Sequence, residues 1–102
     1  MNDTVSDPPG AGVVVLSGEI DLAVRAEISQ RLQSAAGACV DAGRDLDVDA
    51  SSVTFMDSTG ISVVVQAAVQ MQQAGRRLAL TGTTATVRRL FEIAGLQDLF
   101  GD

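Results

Sequence analysis

The feature that most constrains this chain is a threefold alternation of short strand-like apolar runs with stretches of helical period. Gly12-Val13-Val14-Val15-Leu16-Ser17 reads as a buried strand. Gly18 marks a bend after it, and Asp21 stands where it can cap the next helix. Between Leu22 and Ala38 the apolar residues Leu22, Ala26, Ile28, Leu32, Ala35 and Ala36 recur at roughly helical spacing, with Arg25, Glu27 and Arg31 on other faces. After a turn at Asp41-Ala42-Gly43-Arg44, the segment Leu46-Asp47-Val48-Asp49-Ala50 alternates apolar and acidic. That pattern predicts a strand with one covered face, whose Asp47 and Asp49 need solvent or partners. Ser51-Ser52 and Thr54 break the run before Phe55-Met56. A second helix is expected from Ser58 to about Ala74, with Ile61, Val64, Val65, Ala68, Val69 and Met71 on its apolar face. Gly75 suits its C-cap, and Arg76 and Arg77 suit its negative end. Leu78-Ala79-Leu80-Thr81 is a further strand, Thr84 can cap a third helix over Thr86–Ala94, and the apolar tail Leu96–Phe100 should fold back on the core. Alternating elements with short connections specify one α/β domain with a largely parallel sheet.

The chain has 102 residues, enough for one such domain and too few for two. With 3% aromatics and neither Trp nor Tyr, its core must be built from Val, Leu, Ile and Ala. Residues 1–11, which carry Pro8, Pro9 and Gly10, read as either a flexible N-terminal arm or a poor edge strand, leaving 12–102 as the folded domain.

Charge and missing residue types exclude several function classes. Seven basic residues against thirteen acidic ones, a net charge of −6, disfavour nucleic acid and polyanionic membrane surfaces. A protein partner with a basic or mixed surface is easier to accommodate. The single cysteine, Cys39, allows no intramolecular disulfide and reads as a small buried apolar residue, consistent with a reducing compartment. Met1-Asn2-Asp3-Thr4 does not resemble a signal peptide, and no apolar run reaches the ~20 residues of a membrane span, so a cytoplasmic location is expected. Histidine is absent, which removes Ser-His-Asp and Cys-His catalysis in cis and the commonest metal ligand. The chain also has no lysine to act as a substitute base. No catalytic residue is therefore expected.

The junction Asp57-Ser58-Thr59-Gly60 lies where a strand turns into a helix, the position at which parallel-sheet proteins place working residues. One reading is a plain N-cap, with a hydroxyl or carboxylate accepting from first-turn amides and the glycine easing a tight bend. The other keeps the cap and adds an exposed Ser58 hydroxyl for another protein to modify. A phosphate there would bring about −1.5 to −2 charges to a helix N-terminus, which tolerates an anion, and the cost would fall on a partner packed against the loop. Asp21 is either a simple cap or a contact residue on the same sheet edge. Two carboxylates with no visible third ligand do not make a metal site, and Gly60 lacks the surroundings of a phosphate loop. Met56 is either core filler or a partly exposed, adaptable contact.

Four stretches together resemble the STAS domain: Gly18-Glu19-Ile20-Asp21-Leu22, Phe55-Met56-Asp57-Ser58-Thr59-Gly60-Ile61, Ala74-Gly75-Arg76-Arg77-Leu78, and Val87-Arg88-Arg89-Leu90-Phe91-Glu92-Ile93-Ala94-Gly95-Leu96. The chain looks most like the bacterial anti-sigma factor antagonists. The resemblance implies a mixed, largely parallel sheet of about four strands with three or more helices. It implies a non-enzymatic switch whose unphosphorylated form binds an anti-sigma factor with serine kinase activity and so frees the sigma factor. That kinase would use ATP to phosphorylate Ser58, a PP2C-type phosphatase would reset it, and the antagonist itself would carry no cofactor. Asp57, Ser58, Thr59 and Gly60 match the family's switch loop, and Asp21 matches an acidic residue of the kinase-binding surface. Met56 and Ile61 flank that loop and complete the expected partner-binding set, in a protein expected to be a monomer or weak dimer. The same family implies an alternative, a STAS subunit of an ABC-type lipid transport assembly that docks on the ATPase without a phosphoswitch. The sequence departs from the family pattern in its acidic interruption at Asp47, in the degraded first strand within residues 1–12, and in stopping soon after Phe100.

Overall fold

Parallel pairing requires a crossover between successive strands, and α-helices supply it here. The computed structural model describes residues 12–101. Strand β1 (Val13–Ile20) leads through a 3-10 turn (Leu22–Val24) into α1 (Arg25–Ala42). Strand β2 (Leu46–Met56) leads into α2 (Ser58–Gln73), and β3 (Leu78–Thr81) into α3 (Ala85–Ile93) and a second 3-10 turn (Gln97–Leu99). The strands lie in the order β1-β2-β3, and both pairings are parallel. The α/β class and the largely parallel sheet are as expected, with three parallel strands among the described residues. A single parallel bridge from Leu80 to Phe100 extends it. The choice between an arm and an edge strand at residues 1–11 lies outside the described residues.

Among the described residues, one face of the sheet is covered and the other is open. Val14, Leu16 and Ile20 of β1, with Leu78 and Leu80 of β3, point into the core, while Val13, Val15, Ser17 and Glu19 face out. The acidic alternation of β2 follows from this: Leu46, Val48 and Ala50 are buried, Asp47 is exposed and Asp49 half-buried. Strict alternation would next carry Ser52 and Thr54 inward. Instead β2 bulges twice against β1, because Val15 pairs with Asp49 but Ser17 with Ser52, and Gly18 pairs with Val53 but Glu19 with Phe55. The first bulge brings Val53 in and leaves Ser51 and Ser52 outside; the second leaves Thr54 and Phe55 outside and returns Met56 to the core. Two hydroxyls thereby escape unpaired burial, at ~1–3 kcal/mol each. The strand does not break at Ser51-Ser52 and Thr54 but runs eleven residues. Likewise β1 continues past Gly18, whose φ of +75° at the bulge suits glycine alone.

The helices dock on the covered face. In α1 the buried stripe is Ile28, Leu32, Ala36 and Cys39, whereas Leu22 and Ala26 are exposed. The 3-10 turn has three residues per turn, so it changes the angular phase before α1 begins. In α2 the buried row is Gly60, Val64, Ala67 and Met71 with Val63, and Val69 is exposed. Arg76 does not serve α2 alone: it donates to the Gly43 carbonyl at the end of α1 at 2.6 Å. Thr84 caps α3 through Val87 N–H at 3.3 Å, and Val87 and Phe91 are buried. The tail folds back as expected. Phe100 packs on Phe91 with ring centroids 6.3 Å apart and lies under the Arg88 guanidinium at 4.1 Å. Among the described residues, no helix is long and apolar enough to cross a membrane.

Candidate functional site

The carboxyl ends of β1 and β2 build the site. Ile20 and Met56 are register partners, and Asp57 N–H donates to the Ile20 carbonyl at 3.3 Å. The residues that follow, Asp21 and Asp57, therefore head neighbouring turns on one sheet edge. Both have extended backbones and act as caps. Asp21 Oδ1 accepts from Ala23 N–H at 3.1 Å. Asp57 Oδ1 accepts from Thr59 N–H at 2.9 Å and Gly60 N–H at 3.4 Å.

The cap at the start of α2 is thus the Asp57 carboxylate, not the Ser58 hydroxyl. Ser58 is the first residue of α2 and is exposed, with Asp57 and Thr59 half-buried on either side. Gly60 is buried because α2 begins almost in contact with the strand ends. A Cβ at this position would lie 2.5 Å from Met56 Cγ and 2.9 Å from Ile20 Cγ2. Any larger side chain there would force Met56 or Ile20 to shift.

Of the residues singled out around the loop, Asp21, Asp57, Ser58 and Thr59 come together at the edge. Ile61 is half-buried and packs against the core. Met56 does not take part as an exposed contact. It is 2% exposed, because the second bulge of β2 turns it inward beneath Gly60. Two apolar residues stand in water at this end of the sheet: Leu22, expected on the apolar stripe of the first helix, is 70% exposed, and Phe55, to which the sequence reading assigned no face, is 48% exposed. The signal for Phe55 is parity, since the neighbour of an inward Met56 on a strand must face outward. Leu22 had a weaker signal, its place directly after a capping aspartate.

The edge is acidic. Glu19 pairs across from Phe55, and Asp21 and Asp57 follow at the strand ends. Lower on the open face, the N–H and hydroxyl of Ser51 hold the Asp49 carboxyl below its ordinary range, the N–H at 2.9 Å. Among the described residues no three His, Cys, Asp or Glu side chains converge to hold a metal ion. Cys39 lies in the core, and burial pushes its thiol up from the ordinary value.

Comparison with known proteins agrees with this arrangement. The family model described as Mlab, STAS domain matches residues 4–101. The chain is similar to the anti-sigma-B factor antagonist of Staphylococcus aureus, 34% identical over 86 residues that span 84% of this chain and 77% of that one. It is similar to the same-named protein of Listeria monocytogenes, 35% identical over 86 residues, 84% of this chain and 73% of that one. Among solved structures, the anti-sigma factor antagonist SpoIIAA in its unphosphorylated form aligns with a TM-score of 0.73 at 25% identity, covering 88% of this chain and 76% of that one. The phosphorylated form of SpoIIAA, a Bacillus cell fate determinant, shares the fold, with a TM-score of 0.66 at 23% identity over 88% of this chain and 79% of that one. The name these relatives share is that of a regulator, not of an enzyme. The chain belongs to the STAS domain family, among the anti-sigma factor antagonists.

Proposed function

We propose that this protein is a phosphorylation-switched antagonist whose unmodified form binds an anti-sigma factor that is also a serine kinase. Binding releases the sigma factor. The kinase spends its own ATP on Ser58, and a PP2C-type phosphatase restores the free hydroxyl. The observation that carries this reading is an exposed Ser58 at the first position of α2, whose capping duty is taken by Asp57. The hydroxyl is left for chemistry supplied from outside, in keeping with a chain that lacks histidine and lysine. Asp21, Asp57, Thr59 and Ile61 form the surrounding contact surface, while Met56 and Gly60 support it from below. The protein would act in the cytoplasm as a monomer or weak dimer.

The magnitudes favour a switch in binding over a switch in folding. A phosphate of about −1.5 to −2 charges at a helix N-terminus is tolerated by the fold. A partner covering it must desolvate it beside Asp21 and Asp57, and an uncompensated buried charge costs several kcal/mol. About 4 kcal/mol weakens a complex roughly a thousandfold.

The direct test incubates the protein with its cognate kinase and ATP and maps phosphate by mass spectrometry. Label is expected on Ser58 and absent from Ser58→Ala. Equal labelling of the variant, or none on the wild type, overturns the reading.

The Mlab name of the matching family model favours a second reading, a STAS subunit that docks on the ATPase of an ABC-type lipid transporter without a phosphoswitch. Ser58→Asp separates the two. The antagonist loses its partner, whereas the transporter subunit continues to assemble.

A further inference from the structure

Of the chain's three phenylalanines, Phe91 is fully buried and Phe100 packs against it, whereas Phe55 is 48% exposed. Its outward position is built in. The second bulge of β2, between the pairs Gly18–Val53 and Glu19–Phe55, sends Phe55 to the open face and Met56 to the core. Isolated surface apolar residues are common and need no explanation. This one lies three residues before Ser58, about 10 Å along the chain at strand spacing, beside the acidic edge.

We propose that Phe55 is the apolar anchor of the partner-binding surface, seated in a pocket of the anti-sigma factor whose rim is basic. The proposal rests on the switch reading above and deepens it. A protein that delivers phosphate to Ser58 must cover the carboxyl edge of the sheet, and Phe55 is continuous with that edge. Aromatic side chains make strong anchors because they bury a large area with few rotors. The rim follows from charge. Glu19 lies across from Phe55, and Asp21 and Asp57 head the adjoining turns. Neither 13–24 nor 46–73 contains an arginine or lysine. Arg25 follows at the start of α1, but Glu19, Asp21 and Asp57 outnumber it, so a basic rim on the partner would compensate the remaining carboxylates on contact. Phosphorylation of Ser58 would then alter the charge balance of a surface already gripped through Phe55. Loss of the complex need not involve any movement of the loop.

The test is the affinity of the recombinant cognate anti-sigma factor for unmodified protein, measured by calorimetry alongside steady-state phosphorylation of Ser58. Phe55→Ala should bind at least about tenfold more weakly, raise KM for phosphorylation and leave kcat near wild type. Phe55→Leu should recover most of the affinity, and Val15→Ala, farther down the same open face, should change little. Glu19→Lys should weaken binding and reduce its dependence on salt. Thermal denaturation of each variant separates a lost contact from a lost fold. Phe55→Ala binding within about twofold of wild type, with Ser58 still labelled, overturns the anchor and leaves the switch standing. Wild-type protein that neither binds nor is labelled overturns both. A Phe55→Ala change that alters sedimentation of the free protein and not the affinity assigns the face to a second copy and also overturns the anchor.

Discussion

Replacing Gly60 with alanine tests the packing that holds Ser58 in place. The added Cβ would sit 2.5 Å from Met56 Cγ, 2.9 Å from Ile20 Cγ2 and 3.1 Å from Met56 Sδ. Carbon contacts are favourable at about 3.5–4.0 Å, so the methyl intrudes by up to about 1 Å. Methionine is flexible, but Met56 and Ile20 are each 2% exposed and have the core behind them. Overpacking of this kind costs ~1–3 kcal/mol. Alanine returns up to ~1 kcal/mol through its better helix propensity, and less in a first turn. The expected net loss is ~1–2 kcal/mol, at about 4–8 °C of Tm per kcal/mol for a domain of this size. Circular dichroism melts and urea titrations measure it. In the double variant with Met56→Ala the methyl has room, so the combined loss should fall short of the sum by at least ~1 kcal/mol. A Gly60→Ala protein as stable as wild type would refute the claim that α2 starts in contact with the strand ends.

Asp57→Ala should cost ~0.5–2 kcal/mol through loss of the cap on Thr59 and Gly60 N–H groups, whereas Asp57→Asn, which keeps an acceptor, should cost less; chemical denaturation compares them. Cys39 should resist iodoacetamide in the native state and react quickly in urea, because burial raises its thiol pKa. The sign of its pH effect follows. The native state holds the thiol proton more tightly than the unfolded chain, so this contribution to stability is full below the unfolded thiol pKa and is lost as pH rises through the native one. Cys39→Ser should remove that alkaline decline, as read from denaturation midpoints across the alkaline range.

The order of elements was legible because each strand run ends in a residue suited to capping the next helix, as at Asp57 and Thr84. The place of Ser58 in the first turn of α2 was legible for the same reason. What a single strand's pattern does not contain is its register against a neighbour. The bulges of β2 are set jointly with β1, so the run Ser51-Ser52-Val53-Thr54 looked like a break when it is a continuous strand placing only Val53 inside. The same register decides between Phe55 and Met56: of the two readings the sequence left open for Met56, core filler and partly exposed contact, the structure gives the first. The stripe of α1 was misphased near Leu22 because capping by Asp21 opens a 3-10 turn before the α-helix, and helical periodicity does not carry through that change. The acidic residues of β2 were read correctly as needing solvent, and the open sheet face provides it.

That open face bears on how the proposed switch would divide its costs. The elements that cover the sheet lie on the side away from Phe55, and α2 is held to the strands from beneath by Gly60, Val64, Ala67 and Met71. A phosphate on Ser58 would meet the positive end of α2, favourable by ~0.3–1 kcal/mol at an exposed site, and the Asp57 carboxylate, unfavourable by about 1 kcal/mol per unit of phosphate charge at 4 Å in water. Within the fold these terms partly offset one another. Against a docked partner they do not, because water is excluded there and the same carboxylate repulsion acts through a lower dielectric. The fold would therefore take on the charge at a modest cost to its own stability, and most of the penalty would fall on the complex. A domain that instead capped α2 with the serine hydroxyl would lose its cap on modification and couple signalling to unfolding. Asp57 would keep the two apart, which gives a physical reason for an acid immediately before the hydroxyl proposed as the switch.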